Sequence, residues 1–152
     1  MQKVERQGEN MENLINIKNS IFAGIGVIGT AIATLLGGWD TALQTLIIFM
    51  AIDYLTGLVV AAVFKNSKKS KNGTINSFAG WIGLLKKGIT LTIVLMATQL
   101  DLLVGTEIVR NAVIIGFITN ESISIIENVG YMGIDIPDPL IKVINNLTKK
   151  GE

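Results

Sequence analysis

Polar and apolar residues alternate in long blocks along this chain rather than in short periods. Residues 1–20 are polar, with Met11, Leu14, Ile15 and Lys18 recurring at helical spacing, which predicts a short amphipathic helix lying in a membrane interface. From Ile21 to Trp39 no residue is charged, and Ala42 to Phe64 carries only Asp53. At 1.5 Å per residue, each run is long enough to cross about 30 Å of hydrocarbon. The pattern predicts spans at about 21–38 and 42–64, joined by a turn at Gly37-Gly38-Trp39-Asp40. A basic loop over 65–87 follows, its end (75–87) an interfacial approach to a third span at about 88–105. Gly105-Thr106-Glu107 turns the chain into a fourth segment at about 108–127. This segment is the most polar of the four, so three spans stay open as the alternative. In the tail, residues 129–152, Asp138 is placed to cap a helix with Pro139 at its first position. Leu140, Ile141, Val143, Ile144 and Leu147 give that helix one apolar face. The expected fold is all-α: an integral membrane bundle with amphipathic helices at both termini.

Composition strengthens the membrane reading. Of 152 residues, 49% are apolar and 16% charged, and mean hydropathy is +0.52; a soluble domain of this size needs more charge to cover its surface. Ala31-Ile32-Ala33 resembles a signal-peptide cleavage site, but the acidic residues ahead of the run and its continuation past Ala33 disfavour a cleaved leader. There is no cysteine and no histidine, which removes disulfides, thiol chemistry, the usual general base and the commonest metal ligand. No phosphate-binding loop or nucleophile elbow is present either. No enzyme activity, cofactor, metal site or nucleic-acid partner is expected.

The basic residues sort by topology. If the loop bearing Lys65, Lys68, Lys69 and Lys71, with Lys86 and Lys87 behind it, is cytoplasmic, four spans put both termini there too. Then 12 of the 13 basic residues lie inside and only Arg110 lies near the outer face.

Ionisable groups at membrane depth are the candidate functional residues, because each costs about 2.5–3.5 kcal/mol on insertion scales unless paired, solvated or neutralised. Asp53 sits mid-span, with Thr56 and Gly57 a turn on. It reads either as a polar site facing an interface or lumen, or as a neutral carboxyl serving helix assembly. In the fourth segment Arg110, Glu121, Ser124 and Asn128 share a narrow sector, flanked by Asn120 and Glu127. Such a stripe suits a helix lining an aqueous lumen, the preferred reading, but also an interfacial helix or one whose polar side packs in a bundle. Arg110 and Glu121 are separated by about 16 Å of helix, so each needs another partner; Asp101 and Glu107 are candidates for Arg110. In the first span the rows Gly26/Thr30/Thr34 and Gly29/Ala33/Gly37 permit close helix approach.

Asp53-Tyr54-Leu55-Thr56-Gly57, the basic loop, Ser77, Gly80 and Gly83 ahead of Lys86-Lys87, then Asn120 to Asn128, and Met132-Gly133 with Pro137 occur in an order that resembles the toxin-secretion/phage-lysis holin family of Gram-positive bacteria and their phages. The resemblance covers about residues 40–145. It implies a protein of the cytoplasmic membrane that partners itself and the bilayer, oligomerises, and opens lesions at a set time. An endolysin, or in some relatives a toxin, would pass through as cargo without stable binding. Asp53, Glu121 and Glu127 are the polar positions it carries over. An antiholin or regulatory scaffold that makes no hole is the alternative, and a membrane enzyme or transporter a more distant one.

Overall fold

The computed structural model describes residues 2–65 and 76–149 of the chain, and the regular elements there are all helical. They are α1 (Gln2–Leu35), α2 (Thr41–Val59), α3 (Ser77–Val104), α4 (Ile108–Tyr131) and α5 (Asp138–Lys149). A π-helical turn, Val60–Phe64, prolongs α2 and ends at Lys65, whose φ of 50° leaves the helical region. Four of these helical stretches are long and apolar enough to cross a membrane: Asn10–Leu35, Thr41–Phe64, Ser77–Val104 and Ile108–Tyr131. The segment at 108–127, with its polar stripe, therefore qualifies with the others.

Two elements are longer than the polarity pattern suggests. The amphipathic N-terminal segment and the first apolar run form one unbroken helix, since nothing between Ile17 and Phe22 breaks a helix and polarity alone does not end one. Likewise residues 77–87 are not loop but the first turns of α3. Asn76 starts that helix early: its carboxamide oxygen accepts from the backbone N–H groups of Phe78 (2.9 Å) and Ala79 (3.3 Å). Lys68, Lys69 and Lys71 of the basic loop lie outside the described residues. At the tail, α5 begins one residue ahead of expectation, with Asp138 in its first turn and the Pro137 carbonyl accepting from Leu140 N–H at 3.0 Å.

Helix α4 is the hub. Both α2 and α3 pack along it, α2 the more extensively, while α2 and α3 touch only sparingly. Where they do meet, Gly80 and Gly83 form a notch under the Tyr54 ring; a β-carbon at Gly80 would stand 3.6 Å from the Tyr54 hydroxyl. Leu36, Leu43, Leu46, Met50, Val94 and Ile114 form the buried core. It fills the end of the bundle nearest the two short turns, 36–40 and 105–107. Helix α1 stands apart, exposed along Asn10–Leu35, with Val27 71% and Ile25 60% accessible. So much bare apolar surface is stable only against hydrocarbon or another helix.

Candidate functional site

Helices α2, α3 and α4 each bring one ionisable side chain to a common point close to their middles. Lys87 Nζ of α3 donates to Asp53 Oδ2 of α2 at 2.9 Å and to Glu121 Oε2 of α4 at 2.6 Å. All three are largely buried, with side chains 14%, 10% and 8% exposed. Around them the Ser124 hydroxyl donates to Asp53 Oδ1. The Asn128 carboxamide donates to Asp53 Oδ1 at 3.2 Å and Thr56 Oγ1 at 3.0 Å, and Thr56 donates back to the Asp53 carbonyl at 3.0 Å. Two carboxylates thus share one ammonium inside a polar shell, the arrangement that makes charge tolerable in a medium of low dielectric. Remaining buried hydroxyls bond within their own helices: Thr98 to the Val94 carbonyl, Thr119 to Ile115 and Ser122 to Ile118.

A cavity of about 670 Å³ adjoins this triad. Its deep end is lined by Thr90, Phe117, Asp53 and Glu121, and its other end by Ala61, Asn76 and Glu127. Gly57, Lys86 and Asn120 also face it, and the last two, like Glu127, are exposed.

A second polar cluster closes the opposite end. Arg110 Nε donates to the Leu36 carbonyl at 2.6 Å, one terminal nitrogen donates to Asp40 Oδ2 at 2.6 Å, and the other reaches the Gly38 carbonyl at 3.4 Å. The guanidinium lies on Gly37, whose φ is +91°; a β-carbon there would come within 2.5 Å of Arg110 Nε. Gly37 is thus a docking floor for Arg110, and not the end of a helix-packing row. Asp101 does not pair with the Arg110 side chain. It caps α4 across the turn, accepting from the backbone N–H groups of Val109 (3.1 Å) and Arg110 (2.7 Å) and from the Thr106 hydroxyl. Glu107 makes no side-chain cap bond.

The hydrogen bond from Arg110 holds the Asp40 carboxyl below its ordinary value, and the Leu43 N–H bond adds to this against partial burial. A depressed carboxylate pKa contributes stability that is present above the unfolded value and lost as pH falls through the folded one. The turn at 36–40 is therefore expected to loosen below about pH 4, the ordinary carboxylate range. Trp39 fluorescence against pH checks this: wild type should show a transition there that Asp40→Asn lacks.

The structure thus divides the polar stripe of α4. Glu121, Ser124 and Asn128 turn inward to Asp53 and Lys87; Asn120 and Glu127 flank them at the cavity; Arg110 serves the far cluster. Gly26 and Gly29 of α1 have nothing within 4 Å of a notional β-carbon, while Ala33 is half-buried. Three residues escape a linear reading. Lys87 reads in the sequence as a topology signal beside the basic loop, whereas in the fold it lies well inside a 28-residue helix. Asp40 looked like a turn residue, and Tyr54 gave no sign beyond its place in the Asp53 segment.

A profile of the bacteriophage holin family matches residues 30–149. The chain belongs to the bacteriophage holin family. This holin-family protein is 37% identical over 142 residues to the uncharacterised 14.9 kDa protein of the nagH 3′ region of Clostridium perfringens, covering 92% of this chain and 99% of that one. An uncharacterised Listeria innocua protein is 34% identical over 127 residues, 82% and 85% of the two chains. A probable holin of Bacillus phage phi105 is 27% identical over 96 residues, 62% and 65% of the two chains. No solved structure matches this holin-family chain.

Proposed function

We propose that this chain acts as a holin. It accumulates in the cytoplasmic membrane with both termini and the basic loop on the cytoplasmic face, associates with further copies of itself, and opens lesions that release an endolysin or a toxin. The observation that carries the reading is the family match across residues 30–149, which takes in the three helices that build the charged triad. The phi105 relative, named a probable holin, supports it. The bare α1 surface, with Gly26 and Gly29 uncovered, supports lateral association. An antiholin role draws on a different observation: Asp53, Lys87 and Glu121 pair within one chain, so a single subunit satisfies much of its mid-helix charge without a neighbouring copy.

Induction in a bacterial host carrying a cytosolic endolysin, followed by culture density and membrane potential, separates these readings. A holin gives abrupt depolarisation and lysis; an antiholin gives neither at good membrane expression and delays lysis by a co-expressed holin. In the same assay Asp53→Asn and Glu121→Gln are expected to shift lysis timing while leaving insertion intact, because each removes one of the two charges opposing Lys87. Unchanged timing in both, at equal protein level, would remove the triad from the functional machinery.

A further inference from the structure

The cavity beside the triad is polar where a membrane bundle is ordinarily dry. At about 30 Å³ per water its volume has room for roughly twenty molecules. Its walls carry the carboxylates of Asp53, Glu121 and Glu127 against the ammonium groups of Lys86 and Lys87, so the formal balance is negative. At the deep end, coordination is incomplete among the described residues. Two of the three Lys87 Nζ protons are engaged, and Glu121, only 6% exposed, has a bonded Oε2 but no donor to Oε1. A carboxylate oxygen and an ammonium proton left over beside a cavity call for a ligand that both accepts and donates, as water does. The void ends abruptly. Beyond Thr90 and Phe117 come Leu43, Leu46, Val94 and Ile114, each 0% exposed, and behind them the Arg110 cluster.

We propose that this cleft is a one-ended aqueous vestibule, which brings water and small cations from the end of the bundle bearing Lys65 and Asn76 to Asp53, Lys87 and Glu121. Each subunit then carries half of a permeation path, closed by the apolar core rather than by a partner subunit. The excess of carboxylates makes the vestibule favour cations over anions, since a cleft lined by one sign of charge between low-dielectric walls concentrates the opposite sign.

The chain has no cysteine, so single cysteines can report access without a background. Ala61→Cys, Ala79→Cys and Thr90→Cys sample the wall from mouth to floor. Lys65→Cys marks the near face, Glu107→Cys the far face, and Leu46→Cys and Val94→Cys the apolar seal. Membrane-impermeant methanethiosulfonates, one cationic and one anionic, are applied to either side of vesicles from a host without endolysin, so the result does not depend on hole formation. The three wall positions should label only from the face that labels Lys65→Cys, and the seal positions from neither. At Thr90→Cys the cationic reagent should react roughly tenfold faster than the anionic one, and Glu121→Gln should shrink that preference. A wall inert from both faces while Lys65→Cys labels fully would mean that lipid or protein fills the cleft. Labelling from both faces would mean a through-channel, and equal rates for the two reagents would abolish the cation preference. Each of these outcomes overturns the proposal.

Discussion

Lys87→Met should lower the stability of the folded bundle by about 3–5 kcal/mol, the cost of leaving buried charge without its partner. Two carboxylates from α2 and α4 would then face each other without the ammonium from which both accept. The change is close to isosteric, so lost packing contributes little. Unfolding in mixed detergent micelles by added sodium dodecyl sulfate, followed through Trp81 of α3, measures it. The triple variant Asp53→Asn/Lys87→Met/Glu121→Gln should recover most of the loss, because neutral amides satisfy one another where lone carboxylates cannot. If Lys87→Met unfolds within about 0.5 kcal/mol of wild type, the range of a neutral surface change, the triad does not hold the three helices together.

The second large effect is expected at the other end. Arg110→Met removes the bonds to the buried Leu36 carbonyl, to Asp40 and to the Gly38 carbonyl, with a long one to Asn111. The Asp40 pair is half exposed and contributes little alone. The Leu36 bond is buried and charge-assisted, and losing it strands the end of α1, so a loss of about 2–3 kcal/mol is expected. Arg110→Lys should recover only a minor part, since an ammonium cannot span three acceptors in the guanidinium's fork. Trp39, inside the affected turn, reports the change; equal stability of the Lys variant and wild type would show that charge alone suffices.

Much of the architecture was legible from hydropathy because the bilayer constrains sequence so strongly: long uncharged runs such as Ile21 to Trp39 admit few alternatives. The site was legible residue by residue but not as an assembly. Asp53, Glu121, Ser124 and Asn128 stand out as polar atoms at the wrong depth, yet an α4 stripe that favours a lumen wall also suits an interfacial helix or a bundle interior. What the linear pattern does not show is the counter-charge on α3, hidden because the turns before Thr90 carry Gly80, Gly83 and Gly88, which weaken a helix assignment. In the fold the first two are the notch that receives Tyr54. Asp40 and Arg110 are 70 residues apart, and no local pattern joins them.

The triad also bears on how the protein is made. Its members enter the bilayer in chain order: Asp53 first, Lys87 with the next helix, Glu121 last. A nascent chain halted after α2 exposes a lone carboxylate to lipid, and one halted after α3 has an ion pair with no α4 to shelter it. Only completion of α4 brings the remaining donors and the helix on which α2 and α3 both pack. A chain lacking α4 would therefore leave these polar groups uncovered, and completion of α4 buries them.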